Sequence, residues 1–303
     1  MNIPYFLRIT VSIFILLTIS VGGFSQEENK SSRLYTSHRL FQANLIPQHT
    51  KSIDGKLINA VDEWIYSPVP TEPNRNDPFI SFGLKTSRGP LFSYRYLRSD
   101  SSWSVWSLLP EFHESEPQDV FFISEQVFIT EEILAIQLKH KGEYPREEEL
   151  QVDLFYPGNE HATPVPQRAD IQDDCSCALP EFVDRVGWGS PDGQDPSCPD
   201  IVYVPVTHMI VHHTVNSNSL TDWPSAVWSI WNFHVNTRGW CDLGYNWLID
   251  PNGVLYEGRG GGDDVRGAHF CGNNGATMGV AFLGTFTDVS PTPAAITTLT
   301  ELL

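Results

Sequence analysis

The stretch VTHMIVHHTV, residues 206–215, is apolar and β-branched at most positions and contains two adjacent histidines. A short apolar run of this kind predicts a central strand of a buried β-sheet. Because side chains alternate faces along a strand, His212 and His213 point in opposite directions. His212 shares its face with Ile210 and Thr214. Only one of the two histidines can therefore face a given cleft.

The residues after this strand predict a helix and then a hairpin. SAVWSIWNFHVNTRG (225–239) has apolar residues at helical spacing, with Thr221 or Asp222 placed to cap the helix and Gly239 placed to end it. YNWLIDPNGVLYEG (245–258) is typical of a hairpin, because apolar runs flank a Pro-Asn-Gly turn.

Two more elements complete the C-terminal part of the chain. TMGVAFLGTF (277–286) predicts another apolar strand, and SPTPAAITTLTELL (290–303) predicts a helix with Pro293 in its first turn. Strand-like and helix-like segments thus alternate from about residue 180 onward. This alternation predicts an α/β domain over 180–303, with a mixed central sheet flanked by helices.

The preceding region, 36–157, predicts a different architecture. Its short aromatic and β-branched runs are mostly separated by Gly, Pro, Asp or Asn, which indicates an antiparallel all-β, sandwich-like domain. These runs are DPFISFGLKTS, LFSYRYLRS, SWSVWSLL, DVFFISEQVFI and ELQVDLFY. The strict alternation of SWSVWS predicts that Trp103 and Trp106 lie on opposite faces. A Trp on a solvent face either stacks on a sugar or covers the edge of a core.

Composition excludes one class of partner. The 303 residues carry a formal net charge of -18, with a pI of about 4.8, and 41% of them are hydrophobic. Polyphosphate backbones repel such a chain, so we expect no nucleic-acid partner. The composition is otherwise that of an ordinary globular protein.

The N-terminus predicts a secretory signal peptide at residues 1–25. Arg8 precedes an apolar segment at 9–20 that is too short to cross a bilayer comfortably, and cleavage is expected after Ser25. An uncleaved anchor is the alternative. No later segment is long and apolar enough to span a membrane, so we expect a secreted protein without a stable membrane span.

A polar, proline-containing stretch at 158–179 predicts a linker between the two domains. Since secreted proteins meet oxidising conditions, the five cysteines are first candidates for disulfides. Cys198 is expected to pair with Cys175 or Cys177, which are too close in sequence to pair easily with each other. One cysteine is then left over, and a metal-binding role for the C-x-C pair is a weak alternative.

Three motifs in the C-terminal domain carry a family resemblance. VHHTVN (211–216), FHVNTRGWCDLGYNWLIDPNGVLYEGRG (233–260) and GAHFCGNNGATMGVAFLGTF (267–286) occur in this order. Together they resemble the peptidoglycan recognition proteins and the related zinc N-acetylmuramoyl-L-alanine amidases. The resemblance covers about 180–303.

The resemblance implies a role for several residues. His212 would bind zinc, and Tyr245 would lie beside the metal as a catalytic residue that orients or polarises the scissile amide. The residues implied to bind substrate are Thr214, Arg259, His269 and Asn274. Glu257 would lie near the groove wall, and Thr277 falls in the loop that leads to the next strand. The ligand would be peptidoglycan or its muramyl peptides.

A catalytic zinc site takes three protein ligands and one water. The family resemblance places a second histidine and a cysteine or aspartate after the helix that begins near Pro293, where this sequence stops at Leu303. We therefore expect the sequence to be a C-terminally incomplete form of the domain.

Within the chain, His269 is the best substitute for a missing ligand. Cys241 and Cys271 flank Tyr245 and His269, and we expect them to form a disulfide rather than bind metal. His234 lies on the apolar face of the predicted helix and is expected to be a satisfied core histidine.

These observations predict a secreted, zinc-dependent N-acetylmuramoyl-L-alanine amidase that cuts the amide between muramic acid and L-alanine. A non-catalytic peptidoglycan-binding module is the alternative. A structural or adhesive surface protein that uses its β domain for contacts is a third hypothesis.

Overall fold

A computed structural model describes most of the chain. The described residues are 34–40, 43–46, 51–53, 56–58, 63–71, 77–86, 91–111, 121–141, 150–158, 179–196, 198–262, 264–270 and 272–303. The predicted signal peptide, nearly all of the predicted linker, and Cys175, Cys177 and Cys271 lie outside these residues.

The N-terminal part consists of antiparallel strands. In chain order they are β1 (Leu34–Leu40), β2 (Ala43–Ile46), β3 (Lys51–Ile53), β4 (Lys56–Ile58), β5 (Glu63–Tyr66), β6 (Val69–Pro70), β7 (Ile80–Thr86), β8 (Phe92–Arg98), β9 (Ser107–Leu109), β10 (Phe122–Ile123), β11 (Val127–Ile129), β12 (Ile133–Lys141) and β13 (Leu150–Tyr156). One sheet has the order β1-β13-β7-β10, with β11 also paired to β7. A second has the order β2-β5-β12-β8-β9, with β6 also paired to β12.

Buried side chains from both antiparallel sheets form one hydrophobic core. Phe82 and Leu84 of β7 belong to the same buried cluster as Ile136 and Leu138 of β12. At these positions, alternate residues of β7 and β12 face the other sheet, as strand periodicity requires. The expected antiparallel, sandwich-like architecture is therefore found in this region.

The prediction for SWSVWS was wrong. The guanidinium carbon of Arg95 lies 4.4 Å from the ring centre of Trp103 and 4.5 Å from that of Trp106, so both rings contact one cation. Residues 104–106 are not in a strand. Ser104 instead donates its backbone N–H to Tyr96 O and accepts the Tyr96 N–H on its hydroxyl. Without extended strand geometry, the two-residue alternation does not apply.

The C-terminal part contains a mixed sheet of five strands among the described residues. They are β14 (Phe182–Val183), β15 (His208–His213), β16 (Trp247–Ile249), β17 (Leu255–Glu257) and β18 (Thr277–Phe282), in the order β14-β17-β16-β18-β15. β16 and β17 are the antiparallel hairpin that the Pro-Asn-Gly turn predicted, whereas β15 and β16 both run parallel to β18. Among the described strands, β15 pairs only with β18 and lies at the edge of the sheet, so the prediction of a central strand for the segment with the two histidines was wrong.

A helix packs on each face of this sheet. α1 (Trp223–Asn232) begins at Asp222, whose side chain accepts the N–H of Ser225, and it continues as a π-helical turn over Phe233–Thr237. Gly239, at φ +78°, follows that turn, as expected for a residue that ends a helix.

α2 (Pro293–Leu302) lies on the other face. Thr292 caps this helix by accepting the N–H of Ala295. Ala295 is buried with Ile249 and Phe282 of the sheet, whereas Ala226 and Val227 of α1 belong to the cluster that contains Leu248 and Ala281. The fold of this part is thus the predicted mixed sheet flanked by helices.

The sandwich packs directly on α1. Ser31–Leu303 form one compact unit. The ring of Phe155 in β13 lies 6.2 Å from that of Trp228 in α1, and the hydroxyls of Ser81 and Ser229 are 2.6 Å apart. The sandwich therefore supports the helix behind the C-terminal sheet. Among the described residues, no helix combines the length and hydropathy needed to cross a membrane.

Candidate functional site

The parallel pairing of β15 and β18 sets the direction of the two histidines. His213 accepts the backbone N–H of Phe286 on Nδ1 at 2.8 Å, and its ring lies against the Phe286 ring. The side chain of His212 points to the opposite face of β15 and lies against the ring of His269. The predicted opposite orientation of these neighbours is therefore observed.

His212 and His269 form a close imidazole pair. Nε2 of His212 lies 3.1 Å from Nδ1 of His269, and the two rings meet edge to face. The backbone N–H of His269 donates to Oδ1 of Asn274 at 2.8 Å, which fixes the segment that carries the ring. Gly279 leaves room for the ring, because a Cβ there would lie 2.4 Å from Cγ of His269. The sequence had named His269 as the best substitute partner, and it is the histidine that the fold brings to His212.

Burial keeps His269 neutral. Desolvation, reinforced by the neighbouring His212, lowers the pKa of His269 to about 4. At neutral pH its ring therefore has one N–H donor and one lone-pair acceptor. Such a ring can share a proton with His212 or present a lone pair to an electrophile.

Tyr245 packs beside the pair of His212 and His269, and His234 packs behind Tyr245. The ring of Tyr245 is buried, with its centre 5.5 Å from that of His212. His234 lies behind Tyr245 at 5.8 Å and accepts the Gly244 N–H on Nδ1 at 3.2 Å. Burial lowers the pKa of His234 to about 3, so this ring is the neutral core histidine that the sequence predicted.

Two of the residues named by resemblance make other contacts. The hydroxyl of Thr214 donates to Asn216 and accepts the Gly284 N–H, so it joins the turn after β15 to the end of β18. A carboxylate oxygen of Glu257 accepts from the side-chain amide of Gln194 at 2.6 Å.

Arg259 and Asn274 line a cavity of about 320 Å³ together with Arg266 and Asp200. Neither His212 nor Tyr245 lines this cavity. No motif in the sequence singled out Arg266, because an exposed arginine in a glycine-rich loop has no distinguishing pattern.

The expected disulfide pairing was wrong. Cys198 is bonded to Cys241, with 5.0 Å between the Cα atoms, so Cys241 cannot pair with Cys271 and Cys198 cannot pair with Cys175 or Cys177. Spacing alone does not determine connectivity.

A buried ion network explains why Cys198 lies beside Cys241. The fully buried Arg185 pairs with Asp242 at 3.1 Å and with Asp192 at 2.6 Å. It thereby holds the 185–192 segment against the loop that carries Cys241. Sequence reasoning missed Arg185, which shows no motif and is revealed only by its burial.

The donor chemistry of the imidazole pair is compatible with zinc. Two Zn–N bonds of about 2.0–2.1 Å at a tetrahedral angle place their nitrogens roughly 3.3 Å apart, close to the separation of His212 Nε2 and His269 Nδ1. Within the part of the chain that the structure describes, no group of three or more His, Cys, Asp or Glu side chains is placed to hold a metal ion. The separation of these two nitrogens is thus one that a shared metal ion would permit.

Comparison with known proteins identifies relatives of the C-terminal part of the chain. Residues 203–303 match the Amidase_2 model, described as N-acetylmuramoyl-L-alanine amidase. The chain is 32% identical over 126 residues to human peptidoglycan recognition protein 3, a match that covers 41% of this chain and 35% of that protein. It is 34% identical over 128 residues to human N-acetylmuramoyl-L-alanine amidase, which covers 41% and 22%.

A solved structure is also similar in sequence. The human PGRP-IβC chain, solved in complex with glycosamyl muramyl pentapeptide, is 30% identical, with 40% of this chain and 71% of that chain covered and a TM-score of 0.36. The chain spans about a third or less of the two curated relatives above. Residues 203–303 are a domain of the Amidase_2 family, related to the peptidoglycan recognition proteins at about 30% identity.

Proposed function

We propose that this protein is a zinc-dependent N-acetylmuramoyl-L-alanine amidase that hydrolyses the amide between muramic acid and L-alanine in peptidoglycan. The observation that carries the proposal is the convergence of His212, His269 and Tyr245 at one place in an Amidase_2 domain. These are the residues that the family motifs had named as metal ligand, groove residue and catalytic tyrosine.

In this proposal His212 would hold zinc, with Nε2 as the donor atom. The ion, when bound, activates water for attack at neutral pH and polarises the amide carbonyl. His269 adjoins that nitrogen and is neutral at physiological pH, so it can accept a proton or donate a hydrogen bond beside the metal. The backbone N–H of His269 donates to Asn274 and fixes the segment that carries the ring, and the ring packs closely against Gly279.

Tyr245 is the group proposed to stabilise the reacting carbonyl. A phenol can donate one hydrogen bond to the oxygen on which negative charge develops, and one such donor is worth roughly 3–4 kcal/mol in well-studied hydrolases. Packing against His212 and His234 holds the ring in one orientation. Positioning of this kind lowers the cost of aligning the donor with the substrate.

The test is cleavage of a soluble muramyl tripeptide by the full-length natural protein with added zinc, followed by mass spectrometry. We expect free stem peptide from the wild type and none from His212→Ala. His213→Ala is the matched control, since this neighbouring ring faces Phe286 and should leave cleavage intact. Equal cleavage by wild type and His212→Ala would overturn the zinc assignment.

A non-catalytic peptidoglycan-binding module is the second candidate. The specific observation in its favour is that the cavity with Arg259 and Asn274 is lined by neither His212 nor Tyr245. Binding there would not require a metal. Calorimetric binding of a muramyl tripeptide, with no product after prolonged incubation with zinc, would favour this module over the amidase.

The proposal includes the expected location and partners. Peptidoglycan lies outside the cytoplasmic membrane, so either function requires export, for which residues 1–25 remain the predicted signal. The net charge of -18 is consistent with a partner other than nucleic acid. The functions of the β-sandwich as an adhesive or sugar-binding domain remain hypotheses.

A further inference from the structure

The two ends of the π-helical turn Phe233–Thr237 are held by strands of the sandwich. At its start, the ring of Phe233 packs against Gly83 of β7, where an added Cβ would lie 2.7 Å from the ring. At its end, the hydroxyl of Thr237 donates to Oδ2 of Asp153 in β13 at 2.9 Å. Phe233, Thr237 and Asp153 are all buried. The sandwich therefore fixes both ends of this turn.

His234 lies within the turn and reaches the loop before Tyr245. Its Nδ1 accepts the backbone N–H of Gly244 at 3.2 Å, and its backbone oxygen accepts the N–H of Trp240 at 2.9 Å. Burial lowers the pKa of His234 to about 3, so at neutral pH the ring is uncharged and Nδ1 keeps the lone pair that this bond needs. One residue thus connects the turn to both ends of the segment 240–244.

Gly244 is closely packed at the end of this segment. An added Cβ would lie 2.5 Å from the backbone oxygen of Ala268 and 2.8 Å from the ring of Trp240. The backbone oxygen of Gly244 accepts the N–H of Ala268 at 2.9 Å. Because Gly244 is bonded directly to Tyr245, the hydrogen bond from its N–H to His234 helps to set where the phenol lies.

The geometry of the turn itself depends on outside support. π-helical turns are rare and are frequently found at functional sites. This one follows α1 directly. Since a helix ordinarily continues in α geometry, contacts from outside the helix are needed to hold the wider turn. The hydrogen bond from Thr237 to Asp153 and the packing of Phe233 on Gly83 supply such contacts.

We propose that the sandwich positions Tyr245 for the proposed reaction, with Asp153 and Thr237 acting as positioning residues through the π-helical turn and His234. This role rests on the proposed function, since it takes Tyr245 as the group that stabilises the reacting carbonyl. Neither Asp153 nor Thr237 needs to touch the substrate. A displacement of about 1 Å at a reacting group can cost on the order of 100-fold in rate, so a small shift of the turn is sufficient.

The first measurement needs no substrate. It is hydrogen exchange at the Gly244 amide in the metal-free, full-length natural protein, followed residue by residue by NMR. The amide of Leu283, which donates to the backbone oxygen of Ile249 at 2.8 Å within the sheet, is the internal reference. We expect Thr237→Val to speed exchange at Gly244 by about tenfold or more relative to Leu283. Thr237→Ser keeps the hydroxyl and should leave this ratio at the wild-type value.

The second measurement is cleavage of a soluble muramyl tripeptide with added zinc. Thr237→Val should lower kcat by about tenfold and leave KM within about twofold, because it displaces a group that acts in the transition state. Thr237→Ser should restore kcat.

Ser81→Ala is the matched control at the same boundary. The Ser81 hydroxyl lies 2.6 Å from that of Ser229 in α1, so its removal weakens the boundary at α1 and leaves the contacts of the π-helical turn in place. This variant should keep both the Gly244 exchange ratio and kcat within about twofold of the wild type.

Unchanged Gly244 exchange in Thr237→Val, or an equal loss of kcat in Ser81→Ala, would overturn the positioning role and leave the proposed function standing. If the wild type releases no stem peptide, the proposed function fails and the catalytic part of the positioning role fails with it. Faster Gly244 exchange in Thr237→Val would then still support the structural link from the sandwich to the loop before Tyr245.

Discussion

Gly279 in β18 determines whether His269 can reach His212. An added Cβ would lie 2.4 Å from Cγ of His269, which is far inside normal contact distance. We expect Gly279→Ala to displace the ring, to cost roughly 1–3 kcal/mol of stability through overpacking, and to weaken muramyl peptide binding. Thermal unfolding and calorimetric titration measure the two effects.

Gly275→Ala is the stability control for this substitution, since a Cβ there meets nothing within 4 Å. Its melting temperature should stay close to that of the wild type. A Gly279→Ala protein with unchanged stability and unchanged affinity would contradict the close packing of Gly279 against His269.

The buried ring of His234 makes stability depend on pH. Its pKa is about 3 in the folded protein, against an ordinary value of 6.5 in the unfolded chain. Between pH 6.5 and 3 the unfolded state therefore binds more protons. The contribution to stability is fully present above pH 6.5 and falls by about 1.4 kcal/mol per pH unit below it.

His234→Gln isolates this effect. Glutamine keeps an acceptor for the Gly244 N–H but does not titrate. The variant should have a lower stability at pH 7 and a smaller loss of stability between pH 6 and 4 in urea unfolding. An identical pH slope in variant and wild type would show that His234 is not the group responsible.

Some residue-level features could be predicted and others could not. The opposite directions of His212 and His213 follow from strand periodicity, which needs only the local sequence. His212 and His269 are 57 residues apart in sequence, so their contact depends on long-range pairing, and only the family motifs pointed to it. Trp103 and Trp106 were misassigned because a hydrogen bond from the backbone of Tyr96 to Ser104 replaces strand geometry there.

At the scale of elements, the loop after the π-helical turn is fixed by the Cys198–Cys241 disulfide. The bond closes a sequence separation of 43 residues. The chain-entropy model gives roughly 4 kcal/mol of stabilisation for a loop of this length. The double variant Cys198→Ser, Cys241→Ser should lose a large part of that amount and should release the loop that leads to Tyr245.

Reduction of the wild type provides a check on this prediction. Treated with a thiol reductant, the wild type should melt at a lower temperature and approach the double variant, whereas the variant should not respond. Equal melting temperatures for oxidised and reduced wild type would contradict a stabilising role for the bond.

Elements with strong local signals matched the sequence prediction. The hairpin of β16 and β17 has a Pro-Asn-Gly turn, in which Gly253 adopts φ +84°, and α1 begins at a capping Asp222. The π-helical turn gave no signal, because its residues continue the apolar spacing of α1. β12 was not singled out either, although it pairs with β5, β6 and β8.

For the whole molecule, the sandwich and the C-terminal sheet share a buried boundary. The hydroxyl of Thr237 in the π-helical turn donates to Asp153 of β13 at 2.9 Å, and both residues are buried. Gly83 allows close approach, since a Cβ there would lie 2.7 Å from the ring of Phe233. The sequence could not predict this boundary, because neither Asp153 nor Thr237 nor Gly83 belongs to a motif in its own segment.

This boundary predicts one cooperative unfolding transition. Thr237→Val leaves the buried Asp153 carboxylate without one donor and should cost about 1–3 kcal/mol, so the single transition moves to lower temperature. Thr297→Val on the exposed side of α2 is the control and should have little effect. Two separate transitions, of which Thr237→Val moves only one, would contradict a coupled boundary.

The proposed amidase would cut one particular bond of peptidoglycan, the amide between muramic acid and L-alanine. The most direct measurement is chemical analysis of insoluble peptidoglycan after incubation with the full chain and zinc. The proposed amidase predicts released stem peptides with an equal number of new L-alanine amino termini, and no new sugar reducing ends. Peptidoglycan that binds the protein yet gains no L-alanine amino termini would contradict the amidase and favour the binding module.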